Sequence, residues 1–175
     1  LWPKHVVAAL GALATDGYWQ DSLRQHSLQM LWGDARQQLQ NLPKDLQLDL
    51  ILLDAFSPGK CPQLWSEEFL QSLASLLAPG GRLLTYCRAA AVRNSLRHAG
   101  LELRSLLPKA GEGAGWSSGT MALRPSKDGV QCLPEMGVGW RGLSVMEEEH
   151  LLTRAGVPYR DPSGTDEATV ILKRR

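Results

Sequence analysis

The apolar positions of this chain follow two spacings, and the spacings predict its elements. Val6, Leu10 and Leu13 share one helical face, and Gly17 can end a helix over residues 1–17. Ser27–Trp32 reads as a strand, closed by Gly33 and Asp34. Ala35–Leu42 reads as a short helix with Leu39 and Leu42 inward, stopped by Pro43. Leu48–Asp54 is a short apolar run with the length of a strand buried on both faces, as in a parallel sheet. Trp65–Leu77 places Trp65, Phe69, Leu73, Leu76 and Leu77 on one side of a helix. Ser66 suits its N-cap, and Glu67 and Glu68 suit its first turn, where the helix dipole favours acids.

A turn at Pro79-Gly80-Gly81 leads into a strand over Arg82–Cys87. A helix over Ala89–Ala99 ends at Gly100, followed by a strand over Leu101–Leu107. Ala110–Ser118 is a glycine-rich loop, and Gly119–Arg124 is the last core strand. Strands alternating with helices predict a mostly parallel α/β sheet. The final two strands, with no helix between them, predict an antiparallel element at one edge. Beyond Arg124 the chain is loop-like to Gly142, helical over Ser144–Ala155, and a loop over Pro158–Asp166. Ala168–Leu172 fits a short edge strand. Residues 1–124 are thus expected to form the main domain, and 125–175 a tail with one helix packed on it.

Composition narrows the classes. The chain has 175 residues, 43% hydrophobic, enough for one domain with a full core. Its net charge of +1 supplies no global field toward nucleic acid or membrane, so any RNA contact needs a local basic patch. No apolar stretch approaches the roughly 20 residues that span a bilayer. Three cysteines without a CxxC, and four scattered histidines, indicate neither a disulfide framework nor a metal site. A reducing, cytoplasmic setting fits. The chain starts on Leu1 rather than Met, which suggests a processed, trimmed or incomplete chain. Oligomeric state is not legible.

Candidate chemistry concentrates at strand ends, where open α/β sheets bind ligands. Asp54 closes the apolar run, and Phe56, Ser57, Pro58, Gly59, Lys60 and Pro62 follow. Phe56 can stack on a flat ring, and Asp54 can accept a hydrogen bond from an amine, orient it or take its proton. Asp54 can equally cap a helix or solvate a loop. Gly33-Asp34-Ala35 ends another strand: it lets a ligand approach the backbone and offers an acceptor, or Asp34 simply caps the next helix. Arg93 and Arg97 share a helix face that can meet phosphates or merely face solvent. Glu147, Glu148 and Glu149 read as a solvated helix start. There is no P-loop and no G-x-S-x-G. Gly111, Gly113 and Gly115 precede no clear helix.

Two blocks carry a resemblance. Asp54-Ala55-Phe56-Ser57-Pro58, then Pro62 and Trp65, form the first. Pro79–Gly81, Thr85, Tyr86, Val92, Arg93, Leu96, Ala99 and Gly100 form the second. With Gly33–Arg36 and the segment RGLSVMEEEHLLTRAGVPYRDP, they resemble the methyltransferase domain of the MnmC-type family. That family methylates the 5-aminomethyl group of the tRNA wobble uridine with S-adenosylmethionine. The tail resembles stand-alone members without the fused flavin domain. The resemblance implies a class I S-adenosylmethionine-dependent methyltransferase fold, Rossmann-like, with strand order 3-2-1-4-5-7-6 and the seventh strand antiparallel. The five core strands would map to three through seven, and the first strands would be lacking. Asp54 would bind the reacting amine. Gly33, Asp34, Ala35, Asp54 and Phe56 would line the cofactor. Ser57, Pro58, Lys60, Trp65 and Arg88 would lie on the side of the substrate, the tRNA anticodon region.

Two departures qualify it. The glycine-rich first strand and the acid after the second are absent, so weak or no S-adenosylmethionine binding is expected of this chain alone. Some members carry a Lys-Arg pair where Trp116 and Ser117 stand, which removes expected tRNA contacts. Two other readings remain: an oxidoreductase acting on C–NH bonds, disfavoured by the missing flavin fingerprint, and a non-catalytic fragment that keeps the fold.

Overall fold

The computed structural model describes residues 2–23, 25–108, 118–126 and 137–175. The expected glycine-rich loop, with Gly111, Gly113, Gly115, Trp116 and Ser117, lies outside the described residues. The chain divides into two compact units, Leu1–Asn41 and Leu42–Arg175.

In the first unit, helix α1 (Lys4–Asp16) ends at Gly17, whose φ of +69° lets its N–H reach the Leu13 carbonyl. Its expected inward face is only partly realised: Ala9 is buried, Val6 and Leu13 are half-buried and Leu10 is exposed. Strands β1 (Tyr18–Gln20) and β2 (Ser27–Gln29) form an antiparallel pair, with Trp19 opposite Leu28. The strand expected over Ser27–Trp32 is thus shorter, and it belongs to a two-stranded sheet of its own. A short connection closes this pair at low entropic cost, which favours a local partner over a distant one. Helix α2 (Ala35–Gln38) continues into a 3-10 turn at Leu39–Asn41.

The second unit holds a five-stranded sheet in the order β3-β4-β6-β5-β7. Strand β3 (Leu48–Leu53) runs parallel to β4 (Leu77–Thr85). Strand β6 (Gly119–Leu123) is antiparallel to both β4 and β5 (Glu102–Leu106), and β5 is antiparallel to β7 (Trp140–Arg141). The sheet is therefore mixed, and its antiparallel element β6 is interior, not at an edge as the pattern suggested. Adjacency in sequence put it beside β5, but β6 also pairs with β4. Gly119 permits this: a Cβ there would stand 2.3 Å from the Thr85 carbonyl oxygen.

Strand β3 is an edge of this sheet, and Leu50 and Leu52 are 49% and 69% exposed. The expectation of a strand buried on both faces fails there, because an apolar run reports composition and not neighbours. The expected turn at Pro79-Gly80-Gly81 lies inside β4, as an irregularity that shifts its register with β3 between Leu48 and Leu50.

Helices α3 (Glu67–Leu76) and α4 (Ala90–His98) supply the rest of the core through Phe69, Leu70, Leu73, Val92 and Leu96. Ser66 caps α3 by accepting from Phe69 N–H. The tail belongs to the same unit. Helix α5 (Val145–Leu151) starts with a reciprocal capping box between Ser144 and Glu147. Tyr159 bridges to Ser66 in parallel fashion, and Glu67 N–H donates to the Tyr159 carbonyl. Ala168–Leu172 is not an edge strand but part of helix α6 (Ala168–Arg174). A five-residue apolar run fits either element, and tertiary contacts decide it here. Ile171 is fully buried, Arg174 pairs with Asp166, and the Arg175 guanidinium lies 4.6 Å over the Tyr159 ring. No described helix is long and apolar enough to cross a membrane.

Candidate active site

Strand β3 delivers Asp54 to its C-terminal end, and the chain turns at once. Lys60 N–H and Cys61 N–H both donate to the Ser57 carbonyl, at 2.8 and 2.9 Å. Two aromatic side chains fix the backbone of this turn from outside it. The Tyr86 hydroxyl, just past β4, donates to the Ala55 carbonyl at 2.7 Å. The Trp65 indole N–H donates to the Phe56 carbonyl at 2.6 Å. The two rings meet edge to face with centroids 6.1 Å apart. Burial first, and then the neighbouring Cys87 and Asp54 charges, hold the Tyr86 hydroxyl above its ordinary pKa, so it stays a donor.

The side chains of the turn are uncovered. Asp54, Ser57 and Lys60 are exposed, Pro58 is half-buried, and the Phe56 ring is 78% exposed. An exposed carboxylate beside an exposed aromatic face, on a fixed backbone, can receive an amine and a flat heterocycle together. Trp65 needs correction. It is fully buried, so it cannot touch a substrate; it positions the turn instead. Tyr86 does the same work, which sequence reasoning missed; an aromatic hydroxyl directly after a strand end was the available signal.

Gly33, Asp34 and Ala35 lie in the first unit and Asp54 and Phe56 in the second. Gly33 has φ +121°, which favours glycine. Asp34 is the N-cap of α2, accepting from Arg36 N–H at 2.9 Å and from the Arg36 guanidinium at 2.6 Å. That guanidinium holds the carboxyl below its ordinary pKa. Much of its acceptor capacity is thus already engaged by the chain itself.

The basic face expected on α4 is not a face. Arg93 is 3% exposed, and its guanidinium donates to Thr120, Ser105 and the Gly119 carbonyl, and to Glu147 at 2.9 Å. Arg97 pairs with Glu148 at 2.8 Å. Glu147 is therefore not part of a solvated helix start, whereas Glu148 pairs at the surface and Glu149 is exposed. Glu147 accepts at one oxygen from Arg93 and Ser105, and at the other from Arg141 and the Ser144 N–H. Burial alone would raise its pKa; the Ser144 N–H, then Ser105, Arg93 and Arg141, overcome it and hold the carboxyl far below the ordinary range. Arg88 is exposed at the end of the turn that follows β4.

Comparison with known proteins agrees with this architecture. A family described as S-adenosyl-L-methionine-dependent methyltransferase matches residues 12–115, more than half of the chain. The tRNA 5-methylaminomethyl-2-thiouridine biosynthesis bifunctional protein MnmC of Azoarcus sp. (strain BH72) is 45% identical over 76 residues, 43% of this chain and 12% of that protein. The protein of the same name from Pseudomonas syringae pv. tomato is 28% identical over 173 residues, 84% of this chain and 26% of that protein. Matched stretches thus cover about a quarter or less of these curated relatives. The crystal structure of MNMC2 from Aquifex aeolicus superposes with a TM-score of 0.73 at 24% identity, covering 98% of this chain and 51% of that one, and so shares the fold. The described sheet keeps the expected 4-5-7-6 part of the class I order, as β3-β4-β6-β5. The chain belongs to the family of S-adenosyl-L-methionine-dependent methyltransferases.

Proposed function

We propose that the protein carrying this chain methylates the 5-aminomethyl group of the tRNA wobble uridine, in the cytoplasm, with the anticodon region as its docking target. The observation that carries this reading is the turn from Asp54 to Pro58: its backbone is held at Ala55 and Phe56, while Asp54 and Phe56 are left exposed at a strand end. The names of the curated relatives support the tRNA substrate.

S-adenosylmethionine supplies an activated methyl group. What the chain must supply is a neutral amine, held with its lone pair available. Asp54 accepts a hydrogen bond from the amine and takes up the proton it sheds. Phe56 provides a flat apolar surface for a ring, and Ser57, Pro58 and Lys60 shape the approach. Gly33, Asp34 and Ala35 contribute to holding the cofactor.

The test is mass analysis of the wobble nucleoside after undermodified tRNA is incubated with S-adenosylmethionine and the whole protein that carries this sequence. Methylation of the aminomethyl group is expected. Asp54→Ala should lower the rate by about 100-fold or more. An unmethylated nucleoside with wild-type protein, or full activity in Asp54→Ala, would refute the assignment.

A further inference from the structure

A cavity of about 920 Å³ lies beside this turn, within the second unit, and does not include Asp54. Three parts of the chain far apart in sequence wall it: residues from Tyr86 to Arg93, running from the end of β4 into α4; Ser118; and the tail from Arg141 to Leu151. Single-ligand sites occupy roughly 300–1,000 Å³, so it has room for a nucleotide. Tyr86 is common to both places: it lines the cavity, and its hydroxyl holds the Ala55 carbonyl.

The electrostatics of the cavity differ from those of the chain as a whole. Arg88, Arg93 and Arg141 line it, and Glu147 is the one carboxylate among the described lining residues. Guanidinium groups thus outnumber carboxylates three to one among the described lining residues, whereas basic and acidic residues nearly balance over the whole chain, at 19 and 18. Each Glu147 oxygen already accepts two hydrogen bonds from protein groups. The first turn of α4 opens here with no side-chain cap, so the helix dipole adds to the positive field. Tyr86, Met146 and Leu151 give the walls apolar surface. S-adenosylmethionine, with a sulfonium and an ammonium against one carboxylate, is cationic and gains nothing from this field. A phosphodiester-linked nucleotide does.

We propose that this cavity takes a phosphate and its nucleoside from the RNA strand next to the methylated uridine. The proposal rests on the reading of the protein as an RNA methyltransferase. It gives the tail, through Met146 and His150, a role in seating RNA.

The experiment measures binding of a labelled anticodon stem-loop RNA to the whole protein across a salt series. Arg88→Gln should weaken binding about tenfold, and should reduce the slope of log affinity against log salt by about 0.7. Met146→Trp, which fills the mouth, should weaken binding without changing the slope. Both residues are exposed, so both variants should fold; thermal melting checks this. Lys173→Gln on α6, a charge-matched control outside the cavity, should change neither. RNA affinity untouched in both cavity variants would overturn the proposal. So would equal loss in Lys173→Gln, or loss of S-adenosylmethionine affinity in its place. Methyl transfer by the wild type, followed in parallel, separates the two claims. Transfer with RNA binding insensitive to the cavity defeats the cavity alone. Cavity-dependent binding without transfer supports the cavity and defeats the enzyme reading.

Discussion

In the turn after β3, the hydrogen bonds that fix the chain reach backbone carbonyls, Ala55 from Tyr86 and Phe56 from Trp65, and the turn's own side chains stay exposed. Under α5 the arrangement is reversed. There the side chains of Arg93, Ser105, Arg141 and Glu147 hydrogen-bond to one another. The first region is fixed through its main chain so that its side chains can act. The second uses its charges to join the tail to α4 and to β5. Charged residues at a strand end and on a helix look alike in a sequence; which atoms are already bonded tells them apart.

The largest expected effect tests the second region. Glu147→Ala leaves Arg93 buried without its carboxylate and should cost about 3–5 kcal/mol in urea denaturation at neutral pH. Unchanged stability would remove the contrast altogether. Protonation is the milder form of the same test. Because the folded state depresses the Glu147 pKa, its contribution is complete above the unfolded value near 4.3 and is lost as pH falls toward the folded one. Stability should therefore decline as pH drops below about 4, and Glu147→Gln should show a shallower decline over that range.

Trp65→Phe comes next. It leaves the Phe56 carbonyl without its donor and should cost about 1–3 kcal/mol, with a fall in methyl transfer beyond what the lost stability explains. The smallest effect on stability belongs to Phe56→Ala, within about 0.5 kcal/mol because the ring is already exposed. Its methyl transfer should still fall, read as a rise in KM for the RNA. A large stability loss there would mean that the ring packs rather than binds.

Much of the second unit is legible in the sequence because its signals are local. Ser66 and the glutamates after it mark the start of α3, Gly100 marks the end of α4, β3 and β6 stand out as short, mostly apolar runs, and β5 interleaves leucine with polar residues. Elements of two or three residues, β1 and β7, carry too little pattern to detect. The β-branched residues of Ala168–Leu172 fit a strand; the burial of Ile171 and the contacts of Arg174 and Arg175 select the helix. At the site, Asp54 and Phe56 are readable from their place at a strand end. The structural roles of Trp65, Tyr86 and Arg93 are not, since each depends on a partner reached through the fold. Arg93 and Glu147 stand 54 residues apart. The Ser144-x-x-Glu147 spacing is the one local hint that this glutamate is not free, because a capping box engages its side chain.

The position of β6 sets the order in which the chain can finish folding. It is the last of the three central strands to be synthesised, yet it lies between the other two. A nascent chain that has emerged only as far as Leu106 holds β4 and β5 with nothing to join them, and each presents an open row of amides and carbonyls. Closure waits for Gly119–Leu123 to slot between them, and the tail's Glu147 can reach Arg93 only afterwards. Truncation within residues 107–118 would leave β4 and β5 with unpaired edges, so chains ending there should aggregate more readily than the whole protein.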